Sequence, residues 1–154
     1  AAVVFERVTH SKPCRVYVKT ITHIESYVPG SFYKRELPCI LEVLSGIEEA
    51  LDTIIIDGYV SLGDRPGMGR VLSDSIDPGI VVIGVAKTVF RGSTPEKARR
   101  GTSKRPLYVT AHGIDPREAR RLVETMHGPY RIPTLLKEVD RVSRENAKGD
   151  TIDF

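Results

Sequence analysis

Apolar and polar positions along the chain change period several times, and each change marks an element. Residues 2–8 and 15–23 are β-rich runs separated by THSKPC, a polar stretch with a proline, so the chain opens as an antiparallel hairpin. Beyond Pro29 and Gly30, Leu37, Ile40, Leu41, Leu44 and Ile47 recur at helical spacing. This predicts a helix over about 36–51, with Pro38 in the first turn, where its missing amide hydrogen costs nothing. Residues 53–56 are a β-branched run closed by Asp57-Gly58, the profile of a buried strand whose carboxyl end delivers a carboxylate to the sheet's edge.

Three glycines and Pro66 make 61–69 a loop, followed by a short helix near 68–75. Residues 80–85 and 106–110 read as further strands. Asp115 then opens a helix with Pro116 behind it and Glu118 three places on, running to about His127. After Pro133, the positions Leu135, Leu136, Val139 and Val142 predict a last amphipathic helix ending near Asn146. A hairpin followed by alternating helices and strands implies an α/β sheet of mixed direction, covered by helices on both faces. With 154 residues and no internal repeat, a single domain over 1–154 is expected.

Composition narrows the class. Hydrophobic residues at 40% and charged residues at 28% exclude a disordered chain. The longest apolar runs fall well short of the roughly 20 residues of a membrane-spanning helix, so no membrane span is expected. The opening AAVVFERV has no basic region leading into an apolar stretch, which predicts a cytoplasmic location. Cys14 and Cys39 lack CxxC spacing and make neither a disulfide framework nor a metal knuckle; buried free thiols are the expectation. A net charge of +3 suits a polyanionic partner but is common in proteins without one.

Glu36, Asp57 and His112 stand where the chain meets a strand end or helix start. Acidic residues at the carboxyl ends of parallel strands are placed to hold Mg²⁺ through oxygen, and such a cation activates water and neutralises charge developing on a phosphodiester. Taken singly, a strand-end Asp is more often a turn former or helix cap. The segment 91–105, with Arg91, Lys97, Arg99, Arg100, Lys104 and Arg105, reads as an exposed basic loop, either merely solvated or in contact with phosphates.

Five blocks in order carry a resemblance. SYVPGSFYKRELPCILEVL, IIIDG, VVIGVAK, PLYVTAHGID and MHGPYRIP resemble the endonuclease V family over almost the whole chain. The resemblance implies an RNase H-like fold and Mg²⁺-dependent cleavage, with Mn²⁺ as an alternative ion. The bond cut is the second phosphodiester 3′ to a deaminated purine, deoxyinosine in DNA or inosine in RNA. It implies Glu36 and Asp57 as metal-site carboxylates, Lys87 as a phosphate-stabilising cation and His112 as a catalytic histidine. Tyr27, Val28, Pro29 and Gly30 match the family's wedge beside the damaged base, and Gly58, Arg99 and Arg100 join them as expected nucleic-acid contacts.

The chain also departs from the family pattern. The family's first strand, which carries a further metal-site aspartate, precedes the strand that AAVVFERV resembles; here no Asp occurs before Asp52. The expected sheet is therefore RNase H-like with its first strand absent, leaving neighbouring strands with edges to be closed by direct pairing, a second copy or another segment. Where the family follows Asp-Gly with His-Gly and a His-Pro-Arg loop, this chain has Tyr59-Val60 and GDRPG; where it often has Gly-His-Arg, this chain has Ala111-His112-Gly113. Three roles compete: a nuclease, a non-catalytic nucleic-acid-binding relative, and a homo-oligomeric structural protein.

Overall fold

The computed structural model describes residues 1–22, 26, 28, 29 and 33–149. They form two compact units. The first comprises residues 1–48, 126–128 and the chain from 132 onward, and the second residues 49–125 and 129–131.

In the first unit, β1 (Ala2–Val4) pairs antiparallel with β2 (Arg15–Tyr17), with Val3 opposite Val16. The hairpin expected at 2–8 and 15–23 is present with shorter strands. Its turn is tied down by Val4, whose carbonyl accepts from both the amide and the thiol of Cys14. Cys14 is exposed, and Cys39 is intermediate, so neither thiol is buried as expected. Helix α1 (Tyr33–Ser45) starts three residues before its expected beginning, which moves Pro38 from the first turn to the sixth helical position. Its apolar residues are half-buried, and an ion pair joins Lys19 to Glu42 on its polar side. Helix α4 (Thr134–Gly149) buries Leu135 and Val142 and packs against β1.

The second unit holds a four-stranded sheet. Its strands are β3 (Thr53–Asp57), β6 (Val81–Ala86), β7 (Glu96–Ala98) and β8 (Leu107–His112), in the order β3-β6-β8-β7. β3 runs parallel to β6, while β8 runs antiparallel to both β6 and β7, so the mixed direction expected from sequence is present. Among the described residues β3 pairs on one side only, with β6. A two-stranded ribbon, β4 (Ser61–Leu62) with β5 (Arg65–Pro66), occupies the stretch predicted as loop. β7 corrects another expectation: the basic segment 91–105 is not one loop, because its middle pairs with β8 through Lys97 opposite Tyr108.

Helices cover both faces of this sheet. α2 (Met68–Asp74) lies on the face of Ile56, Val82 and Gly84, where Gly69 comes against Val60 and Ile56. α3 (Pro116–Thr125) lies on the opposite face, where Arg120 Nη1 bonds Glu96 Oε2 at 3.1 Å. Val82, Ile83, Leu107, Val109, Leu72 and Val123 are essentially fully buried between these layers. Asp115 caps α3 by accepting the Arg117 amide at 2.8 Å, and that bond, with the Arg117 side chain, holds its carboxyl below the usual carboxylate range.

Candidate functional site

The parallel pair β3 and β6 ends in Asp57-Gly58 and in Lys87, and the register sets Asp57 opposite Val85. An aspartate and a lysine thus leave the sheet at the same end, both exposed. Asp57 is the final strand residue, so its backbone belongs to the ladder while its side chain faces solvent. The ladder continues one step further, since the Gly58 amide donates to the Val85 carbonyl at 3.0 Å.

The turn after Asp57 is held from every side. The Tyr59 hydroxyl donates to the Thr88 carbonyl at 2.7 Å and accepts the Phe90 amide at 2.9 Å, and the two rings meet edge to face with centroids 6.2 Å apart. The buried Val60 amide donates to Thr110 Oγ1 at 2.8 Å. The carbonyls of Tyr59 and Val60 accept amides from the start of α2. These bonds join the β3 exit to the β6 exit, to β8 and to α2, so the Asp57 turn is pre-set rather than adaptable.

Thr110 is a residue that sequence reasoning missed, since nothing marks it off from its apolar neighbours in PLYVTAH. Thr110→Val strands the Val60 amide and is expected to cost about 1–3 kcal/mol in chemical denaturation, while Thr110→Ser retains the wild-type midpoint. Equal midpoints for all three proteins would show that the bond adds nothing.

His112 is not brought to this end. β8 descends antiparallel to β6, so His112 closes the strand opposite Val82, three residues from Val85, or about 10 Å along the strand. Strand alternation also turns it to the other face. There Arg70 Nη1 lies 3.3 Å from His112 Nδ1, and Arg70 Nε pairs with Asp74. The sequence placed His112 beyond a strand end without fixing the strand's direction, and direction decides which end that is.

Arg100 also departs from its expected role. It is only 4% exposed, and its guanidinium donates to the carbonyls of Val123, Glu124 and Tyr130. Burial lowers its pKa from the ordinary value. It closes the carboxyl end of α3, where a cation favours the helix dipole and unpaired carbonyls need donors. Arg99 is exposed and donates to the Lys104 carbonyl. In the first unit, Glu36 is exposed in the first turn of α1, and Val28 and Pro29 are exposed. Tyr27 and Gly30 lie outside the described residues.

Among the described residues, no group of three or more His, Cys, Asp or Glu side chains gathers to hold a metal, and no helix is long and apolar enough to cross a membrane.

Comparisons with known proteins agree with this architecture. The family model for endonuclease V matches residues 1–111. Endonuclease V of Thermus thermophilus is 28% identical over 134 residues, which cover 72% of this chain and 59% of the relative. The Geotalea uraniireducens endonuclease V is 26% identical, with 94% and 70% covered. The chain therefore spans about three fifths of the length of the Thermus relative it matches. Among solved structures, Streptomyces avermitilis endonuclease V superposes with a TM-score of 0.66 at 27% identity, covering 82% of this chain and 64% of that one. Ciona intestinalis endonuclease V, solved with a 23mer DNA containing an inosine followed by a ribo-adenosine, gives a TM-score of 0.67 over 96% of this chain and 83% of its own. At 17% identity that last likeness is one of fold. A model match running from the hairpin through β8, together with the shared RNase H-like sheet, establishes that this chain belongs to the endonuclease V family.

Proposed function

We propose that the chain acts as a magnesium-dependent endonuclease, cutting the second phosphodiester bond 3′ to a deaminated purine in DNA or RNA. The observation that carries this reading is the clamped turn that presents Asp57 at the same sheet end as Lys87.

The donor chemistry fits the ion. Mg²⁺ keeps several waters and is commonly held by one or two carboxylates together with substrate phosphates. Asp57, exposed on a rigid strand end, suits that role, and Glu36 in the first turn of α1 is the second carboxylate of the proposal. When bound, the cation supplies charge neutralisation at the phosphate and a more acidic water.

The chain's own groups do the rest. The backbone of Asp57 is held by the β3 ladder, so the carboxylate starts from a fixed position and only its side-chain rotation remains to be ordered when substrate arrives. Lys87 supplies a compact positive charge for a phosphate oxygen at the same end. Tyr27, Val28, Pro29 and Gly30 are the wedge residues of the proposal and Gly58 a further nucleic-acid contact, and an exposed Val28 suits apolar insertion between bases. His112 takes no part at the Asp57 end in this scheme.

End-labelled DNA and RNA strands with a single inosine test the reading. Incubated with Mg²⁺ or Mn²⁺, each should give one product ending one nucleotide beyond the inosine, while adenosine controls stay intact. Uncut inosine strands with both ions would remove the nuclease reading. The absence of a three-ligand cluster among the described residues favours a second reading, a binding protein that retains inosine strands without cutting them.

A further inference from the structure

The end of the sheet that carries Asp57 and Lys87 also carries the start of β8 and the end of β7, because β8 is antiparallel and Ala98 pairs with Leu107. The β7–β8 connection, residues 99–106, therefore lies at that same end and presents Arg99, Lys104 and Arg105, all exposed. Beside it sits Tyr130, which is 65% exposed in spite of its size. A lone exposed tyrosine needs no explanation, but the backbone beneath this one is unusually fixed.

The Tyr130 carbonyl accepts Arg100 Nε at 3.2 Å. Gly101, at φ +55°, brings the connection so close to Pro129 that a Cβ there would lie 2.0 Å from the Pro129 carbonyl oxygen. Arg131 donates to the Pro106 carbonyl and to the carbonyl of Lys87. Buried Arg100 and half-buried Arg131 thus fasten Pro129–Arg131 onto the connection and onto the strand exit that carries Lys87, while Tyr130 keeps most of its surface exposed.

An exposed ring on a fixed backbone, beside exposed cations, is the composition of a single-strand track, in which bases stack on the ring and phosphates meet the charges. We infer that Tyr130 is a stacking platform for an unpaired base of a single-stranded nucleic acid, whose phosphates run over Arg99, Lys104 and Arg105 toward Lys87. This rests on the proposed function in taking the partner to be a nucleic acid, and it adds a position and a strandedness that the proposed function does not contain.

The test uses the full chain in EDTA with a single-stranded oligonucleotide containing 2-aminopurine, whose fluorescence is quenched by stacking. Wild type should bind with salt-dependent affinity and quench the probe. Tyr130→Ala should weaken binding by between about 5-fold and about 100-fold and abolish the added quench, while Tyr130→Phe keeps both. Tyr130→Leu, similar in bulk but without a π-face, should behave like alanine with an unchanged Tm. The Arg99→Ala, Lys104→Ala double variant should flatten the dependence of affinity on salt.

Wild-type affinity and quenching in the Tyr130→Ala and Tyr130→Leu proteins would overturn the stacking role alone. An equal loss on a fully paired duplex would overturn its single-strand character. Failure of wild type to bind any probe would remove the nucleic-acid reading and this inference with it.

Discussion

Asp57→Asn should leave the sheet folded and reduce cleavage of inosine-containing strands by more than about 100-fold in single-turnover assays. Groups that merely orient metal ligands typically contribute roughly 10–100-fold, so neutralising a proposed direct ligand belongs at or beyond the upper end. The amide is nearly the same size as the carboxylate, and Asp57 is exposed, so the substitution leaves no cavity. Its backbone bonds within the β3–β6 ladder are unchanged. The discriminating measurement is the response to metal concentration. A lost ligand raises the Mg²⁺ required, whereas a damaged fold lowers Tm and is not rescued by metal. Wild-type turnover in Asp57→Asn at limiting Mg²⁺ would remove Asp57 from the metal site.

Gly84→Ala should strongly destabilise the second unit. The added Cβ would sit 2.5 Å from the Gly58 carbonyl oxygen and 2.9 Å from both the Val60 amide nitrogen and Thr110 Oγ1. Two of these atoms are backbone, and the third is held by its bond to Val60. Overpacking usually costs about 1–3 kcal/mol, and with no flexible neighbour to yield, a loss of about 3 kcal/mol or more is expected. For a chain of this size that lowers Tm by roughly 10 °C. Gly46→Ala is the matched control, because its new Cβ meets only the Val43 carbonyl oxygen at an ordinary 3.6 Å. Equal melting temperatures for the two variants would show that the Asp57 turn can shift without cost. If Gly84→Ala folds at low temperature, its cleavage should still be impaired, since the backbone displaced is that of Gly58 and Val60.

Most of the fold was legible because its elements are short and sharply bounded. TIIID and VVIGVA announce buried strands by β-branching, and Asp115-Pro116 announces a helix by its cap. β7 escaped because EKA inside a run of cations looks like solvent-facing charge; its pairing with β8 is a tertiary choice that no local pattern encodes. Asp57 and Lys87 were legible as strand-end residues, and parallel pairing put them together. His112 was equally visible as a residue, but its place depended on the direction of β8. Arg100 and Arg99 are neighbours of one type with opposite fates, one spent on helix carbonyls and one in solvent. A glycine within a strand such as VVIGVA is a usable sign of close backbone approach, and Gly84 is where the Asp57 turn rests.

The one-sided pairing of β3 has a practical consequence for colloidal behaviour. Among the described residues β3 pairs only with β6, and the second edge of an isoleucine-rich strand, wherever it is left uncovered, is a template for another chain. Asp52 and Asp57 flank that segment, and charges so placed discourage edge-to-edge association. Asp57 therefore guards the strand that it terminates. Its neutralisation is expected to add a solubility penalty separate from any catalytic one, and particle size measured alongside turnover in that variant checks this.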